Sequence, residues 1–298
     1  MVAISLYSVI FVLGIIGNGL VIWIAGFRMK KTISAIWFLH LAIADCMCCA
    51  SLPLQIARWA TINLCLSSIS LGTLCMLSII LFKLNMSASV LLLTAMSVDR
   101  WVSVMWPFWA KVHRTQKLVR ITAGIIWVIS FIFTGLVFYF FYFRSYYSNF
   151  VENTGHINDL IRLVLMFVIP FLIISTSYVT IFLKIKNSNR PQRSQRPYRI
   201  ITAVILCFFF CWFPSYIWPL LPMFNGDDVQ LNIVDIVVVI PACLNSCINP
   251  IIYVFMGQDF RHGFLRSIPS RLKEAISEHP IDPCREQEDL DPPTTTDV

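Results

Sequence analysis

Charged side chains are scarce in this chain: they make up 13% of 298 residues, while 57% are apolar. An average soluble domain carries about 25% charged and 45–50% apolar residues. So few charges cannot cover a water-soluble body of this size, which argues against a soluble globular domain, a disordered chain and a nucleic-acid binder. The formal charge of +7 does not change this, because the basic residues sit in short links between apolar runs. Signatures of catalysis and metal binding are missing as well. His40, His113, His156, His262 and His279 are scattered without metal-ligand spacing. There is no HExxH, phosphate-cradling glycine loop, nucleophile elbow or paired-carboxylate constellation, so an enzyme is disfavoured. Alternating segments of about ten residues, the mark of a membrane barrel, do not occur. Nor does an internal repeat or a matched pair of broken helices of the transporter kind.

What the sequence has is long apolar runs. A helix needs about 20 mostly apolar residues to cross the hydrocarbon core, and seven stretches qualify: roughly 3–27, 34–57, 70–104, 119–143, 160–183, 200–222 and 232–255. Pro53, Pro170, Pro214 and Pro250 fall inside them, which a bundle tolerates when neighbouring helices re-satisfy the freed carbonyls. The prediction is an all-α membrane protein, a seven-transmembrane helix bundle. Alternate links hold Arg28, Lys30 and Lys31; then Lys111, His113, Arg114, Lys117 and Arg120; then Lys184, Lys186, Arg190, Arg193, Arg196 and Arg199. The opposite links hold mainly Arg58 and Arg144 beside Glu152, Asp159, Asp227 and Asp228. The positive-inside rule then puts the N-terminus outside and the C-terminus inside. The first span has no basic flank before it and no small-residue cleavage site, so it reads as a retained anchor rather than a signal peptide.

Residues 1–256 form the seven-span bundle in this reading. Over 257–276, Phe260, Phe264, Leu265 and Ile268 recur at roughly helical spacing among Arg261, Arg266, Arg271 and Lys273, as in a short amphipathic helix lying in the inner lipid interface. Residues 277–298 are acidic and lack aromatics, the composition of a disordered cytoplasmic tail.

Ionisable residues inside spans are costly and mark function by default. They are Asp45, Lys83, Asp99, Arg100, Arg162 and Asp235. By position Arg162 and Asp235 lie in outer halves, Asp45 near mid-membrane, and Asp99–Arg100 at the inner end of span three. One outer, one central and one inner site suit a relay from ligand to cytoplasm, whereas a pore needs polar residues along a continuous line.

Motifs then identify the chain as resembling the rhodopsin-like (class A) G-protein-coupled receptors. The carriers are Gly17-Asn18, Leu41-Ala42-Ile43-Ala44-Asp45, Ser97-Val98-Asp99-Arg100-Trp101, Trp127, Pro170 with Tyr178, Cys211-Trp212-Phe213-Pro214 and Asn249-Pro250-Ile251-Ile252-Tyr253, in order over nearly the whole length. Within that family, Lys31–Leu41, Leu84–Ala95 and Ile161–Val164 resemble the complement anaphylatoxin receptors. Arg196-Pro197 and Gly257–Arg261 are equally similar to formyl-peptide receptors, so the likeness is to the chemoattractant group as a whole.

The resemblance implies a multi-pass plasma-membrane receptor for an extracellular peptide, coupled to an inhibitory-class heterotrimeric G protein with chemotaxis and calcium signalling. Arg162 would take a ligand carboxylate and Asp235 a ligand guanidinium, unless the two merely bridge each other. Lys83 would either add a carboxylate contact or snorkel. Asp45, Asn85, Ser89, Asn245 and Asn249 correspond to the family's sodium pocket, with Asp45 and Ser89 as ligands, or to a hydrated polar network. No other cofactor is implied. Asp99, Arg100, Trp212, Pro214, Tyr178 and Tyr253 correspond to the activation switch, with Asp99 holding Arg100 at rest. Cys75 holds the place of a span-three disulfide cysteine, yet the second outer loop contains no cysteine and Cys65 is the other outer candidate. Trp101 stands where tyrosine or cysteine is usual, and no acidic residue lies near Ser194 to lock spans three and six. The short outer segments favour a short peptide over a large ligand. Further expected partners are arrestin, membrane lipids and a PDZ protein at Thr296-Asp297-Val298; nucleic acid is not one. The competing readings are a non-signalling decoy or scavenger of the same fold and a formyl-peptide-like or orphan chemoattractant receptor.

Overall fold

A computed structural model of the chain describes residues 2–28, 32–63, 69–146, 159–187, 196–220 and 235–256. Seven long helical segments fill these ranges. Span one is Val2–Trp23 with a π-helical turn at Ile24–Arg28, span two is Ile33–Asn63 and span three is Ile69–Met105. Span four is Gln116–Tyr146. Span five starts at Asp159, passes a π-helical turn at Val164–Val168 and continues as Ile169–Lys186. Span six is Arg196–Ile217, and span seven enters through a π-helical turn at Asp235–Val239 into Ile240–Met256. Spans one to five are long and apolar enough to cross a membrane.

The predicted boundaries shift for local reasons. Thr32 Oγ1 accepts from the Ala35 N–H at 3.2 Å and Thr115 Oγ1 from the Leu118 N–H at 3.2 Å, so each threonine caps a helix that begins slightly earlier than apolarity alone indicated. Span six was expected to run to 222 and instead tightens into a 3₁₀ turn at Trp218–Leu220. Pro219 cannot donate an intrahelical bond there and crowds the carbonyl four residues back. A short helix, Pro107–His113, lies in the second inner link and was not foreseen, although Pro107 in its first turn is a start signal. The interfacial helix over 257–276 and the tail over 277–298 lie outside the described residues.

Span three is the centre of the packing: 61% of its most apolar window is buried, against 22% for span four. Span four presents Ile125, Val128, Ile129, Ile132 and Leu136 outward, and span one presents Val9, Val12, Leu13 and Ile16. Such apolar outer faces are what lipid contact requires.

Proline in span seven is accommodated as a bundle demands. Pro250 has no N–H for the Ser246 carbonyl one turn back. Asn18 Nδ2 donates to that carbonyl at 2.8 Å and to the Gly14 carbonyl at 3.0 Å, so span one supplies the bond span seven lacks. Close approach of spans one, two and seven depends on glycine. A Cβ on Gly14 would collide with Cys49 Sγ and crowd Cys247 Sγ, and one on Gly17 would press on the Pro250 ring. Gly14→Ala therefore lowers thermal stability by about 1–3 kcal/mol through overpacking. Cys49→Ala in the same chain restores most of that loss, measured as melting temperature in detergent.

Candidate functional site

Three polar layers stack along the bundle. In the outer layer a cavity of about 10 Å³ is lined by Lys83, Met86 and Ser87 of span three, Phe133, Thr134 and Val137 of span four, Arg162 and Met166 of span five, and Tyr216 of span six. Arg162 is 7% exposed. Its Nη2 donates to the Ser215 carbonyl at a long 3.4 Å and lies 3.6 Å from Asp159 Oδ1, while its guanidinium stands over the Tyr216 ring at 5.7 Å. Among the described residues, its Nε and the Tyr216 hydroxyl are buried without a partner. Ser87 and Thr134 share a hydroxyl–hydroxyl bond at 3.3 Å. Ser215 Oγ donates to the Val238 carbonyl at 3.1 Å, so a polar path runs from Arg162 through span six to the π-helical turn that begins with Asp235. The Asp235 side chain lies outside the described residues. Spans three to six wall this cavity.

One turn inward from Tyr216, Trp212 is fully buried and packs on Phe82 with ring centroids 5.5 Å apart. Pro214 sits between these two layers in span six. Phe167, Phe209 and Phe213 extend the aromatic contact between spans five and six.

The central layer brings the predicted residues together. Asn249 Nδ2 donates to Asp45 Oδ2 at 2.8 Å, and Asn85 Nδ2 to Asp45 Oδ1 at 3.2 Å and to Ser89 Oγ at 3.3 Å. All of these residues, with Asn245 and Ser246, are buried. Among the described residues, Asn85 Oδ1, Asn249 Oδ1 and both polar atoms of Asn245 have no partner. A buried polar atom left unsatisfied costs roughly 1–3 kcal/mol.

The inner layer differs from the sequence reading in its pairing. Both Asp99 oxygens are taken by Arg114, each at 2.6 Å, in a bidentate pair, where Arg100 was the expected partner. The short helix Pro107–His113 folds the chain back, and Arg114 leaves its end facing span three. Arg100 Nη2 instead donates to Ser34 Oγ at 2.6 Å. Trp101 Nε1 donates to Thr180 Oγ1 at 2.8 Å, and Lys184 Nζ to the Met105 carbonyl at 3.0 Å. These two bonds fasten spans three and five. Tyr178 packs against the core from span five. Tyr253 and Cys75 lie on described helices, but their side chains are outside the described residues, as is all of Cys65. Ser34, Arg114, Thr180 and Tyr216 are the site residues that sequence reasoning missed. On the flank, Trp127 Nε1 donates to His40 Nδ1 at 3.2 Å, tying span four to span two.

Comparison with known proteins bears on what these layers do. Residues 17–253 match the family described as 7 transmembrane receptor (rhodopsin family). The chain is 37% identical to formyl peptide receptor 2 of Mus musculus over 91% of its own length and 84% of that protein's. It is 34% identical to the C3a anaphylatoxin chemotactic receptor of Danio rerio, over 93% and 78% respectively. Chemerin-like receptor 1 of Sus scrofa is 37% identical, over 91% and 81%.

Proposed function

We propose that this chain, which belongs to the rhodopsin family of seven-transmembrane receptors, is a receptor for a short chemoattractant peptide that signals through a heterotrimeric G protein. It is a multi-pass plasma-membrane protein and not an enzyme. The observation that carries the ligand reading is Arg162: a nearly buried guanidinium with an unfilled donor, lining an outer cavity directly above the Trp212 layer. Relatives named for C3a, C5a and formyl peptides support a peptide as the ligand.

In this mechanism a peptide enters from outside and its terminal carboxylate meets Arg162, while an arginine on the peptide meets Asp235. A guanidinium and a carboxylate pair bidentately, which gives direction as well as energy. Tyr216 and Trp212 lie one turn apart on span six, so a ligand drawn toward Arg162 bears on the helix that must move. Span six swings outward about Trp212 and Pro214, Arg100 leaves Ser34, and Tyr178 and Tyr253 turn in to hold it against the G protein. The ligand shifts this balance only by its differential affinity for the two arrangements. The inhibitory class of G protein, with calcium release and chemotaxis, is the coupling proposed. Arrestin and a PDZ protein at Thr296-Asp297-Val298 are proposed as further inner partners. An activation screen with C-terminal peptides of C3a and C5a against N-formyl peptides tests the ligand class.

Sodium is proposed for the central layer. One carboxylate beside amide oxygens that have no partner among the described residues suits a hard cation that prefers oxygen ligands. Asp45 and Ser89 would hold it with Asn85, Asn245 and Asn249 around them, and its charge would favour the resting packing. Purified wild-type receptor should gain melting temperature in NaCl over equimolar choline chloride, by mass action on the folded state. Asp45→Asn should erase that difference, and a sodium effect that survives the change removes the ion from this site.

A further inference from the structure

The inner layer offers two arginines to one acid. Among the described residues Asp99 is the one acid at the inner ends of the spans, and Arg100 follows it directly in span three. Arg114 reaches the same carboxylate from the second inner link, with Nε on Oδ1 and Nη2 on Oδ2, each at 2.6 Å. The backbone around Arg114 is held on both sides. Its N–H donates to the Ala110 carbonyl at 3.0 Å and closes the helix Pro107–His113, and Thr115 caps span four one residue later. At the start of the link, Trp106 meets Trp101 edge to face with ring centroids 5.0 Å apart. The guanidinium is thus delivered to Asp99 by a pinned strut, which lowers the entropy cost of the pair. A fork on both oxygens neutralises the carboxylate, and a second guanidinium drawn to it meets the positive charge of the first. The side chains are 23% exposed for Arg114 and 11% for Asp99, so water and salt screen that repulsion incompletely.

We propose that Arg114 is a positioning residue that competes with Arg100 for Asp99 and so sets how readily span three releases Arg100 toward the G protein. With Arg114 in place, Asp99 holds Arg100 less firmly than an unshared carboxylate would. Removing Arg114 returns Asp99 to Arg100 and makes the resting arrangement harder to leave. The sign is opposite to that of a simple resting lock, whose loss would raise activity. The consequence for signalling rests on the G-protein coupling proposed above; the competition itself does not.

Two measurements on purified receptor in lipid nanodiscs test the two parts. In the first, which needs neither ligand nor G protein, melting temperatures of Asp99→Asn, Arg100→Gln and their combination give the coupling between Asp99 and Arg100. That coupling should grow about twofold or more in an Arg114→Gln background. Arg114→Lys, a point charge in place of a fork, should fall between wild type and Arg114→Gln. In the second, nucleotide exchange on a purified inhibitory-class G protein is followed without ligand and with a C-terminal peptide of C3a. The receptor-driven part should be about tenfold slower in Arg114→Gln, the scale of one charge-assisted hydrogen bond. Asp99→Asn should cancel that loss, so that Asp99→Asn exchanges alike with and without Arg114→Gln. An unchanged Asp99–Arg100 coupling in a folded Arg114→Gln protein overturns the competition. Faster exchange in that variant overturns the proposal as well and makes the Arg114–Asp99 pair the lock. A loss that persists beside Asp99→Asn assigns Arg114 to direct contact with the G protein, which also overturns it. No exchange by the wild type in either condition would remove the signalling role, and the melting cycle would still decide the competition.

Discussion

Arg162→Ala lowers agonist potency by roughly 30-fold to several thousand-fold while receptor continues to reach the cell surface. Truncating one partner of a buried, hydrogen-bonded charge pair costs about 2–5 kcal/mol, and each 1.4 kcal/mol is about tenfold. Ligand binding carries that loss rather than folding, because the contacts of Arg162 inside the chain are weak ones. They are a hydrogen bond at 3.4 Å and an ion pair at 3.6 Å to an acid still open to solvent. Surface ion pairs of that kind contribute about 0–1 kcal/mol. Asp235→Ala acts in the same direction for peptides that carry arginine and has little effect on those that do not. Concentration–response curves for calcium release with C3a and C5a C-terminal peptides, beside surface labelling, read both effects. Potency unchanged in both variants removes the pocket assignment.

Arg100→Ala abolishes agonist-driven nucleotide exchange while agonist still binds. Arg100 stands at the inner end of span three, half-buried, and donates to Ser34 of span two. Asp99 beside it is fully engaged by Arg114. Ser34 is therefore one of the contacts that hold Arg100 at rest. Removing the guanidinium takes away the cation offered to the G protein and leaves the outer cavity untouched. Ser34→Ala loosens the resting position instead, and higher agonist-free exchange is the expected result. A guanine-nucleotide exchange assay on membranes, with peptide binding measured on the same preparation, separates coupling from binding. Full exchange in Arg100→Ala would remove this residue from the switch.

The bundle was legible in the sequence because the bilayer imposes one length and one solvent on every span. Runs of about 20 apolar residues can mean little else. In the central layer Asp45 stood out because a carboxylate is expensive in hydrocarbon, whereas Asn85 and Asn249 came from the resemblance to the receptor family; the three meet at 2.8–3.2 Å. Partner choice was not legible. Nothing local in the sequence tells Asp99 to take Arg114 fifteen residues on rather than its neighbour Arg100. The pairing exists because Pro107 starts a one-link helix that turns the chain back. Tyr216 escaped notice because a tyrosine in an apolar run reads as core, and its role appears only when spans three, four and five close around it. Trp101 was recognised as a departure, while its consequence, the bond to Thr180, depends on how spans three and five meet in space.

Reconstituted receptor in nanodiscs with a purified inhibitory-class G protein tests the whole relay. Acid-terminated peptides ending in arginine should accelerate GDP release from the G protein, and Arg162→Ala and Arg100→Ala should each suppress that acceleration. Peptide binding that never changes the rate of GDP release would contradict the account and make the protein a decoy with a receptor's fold.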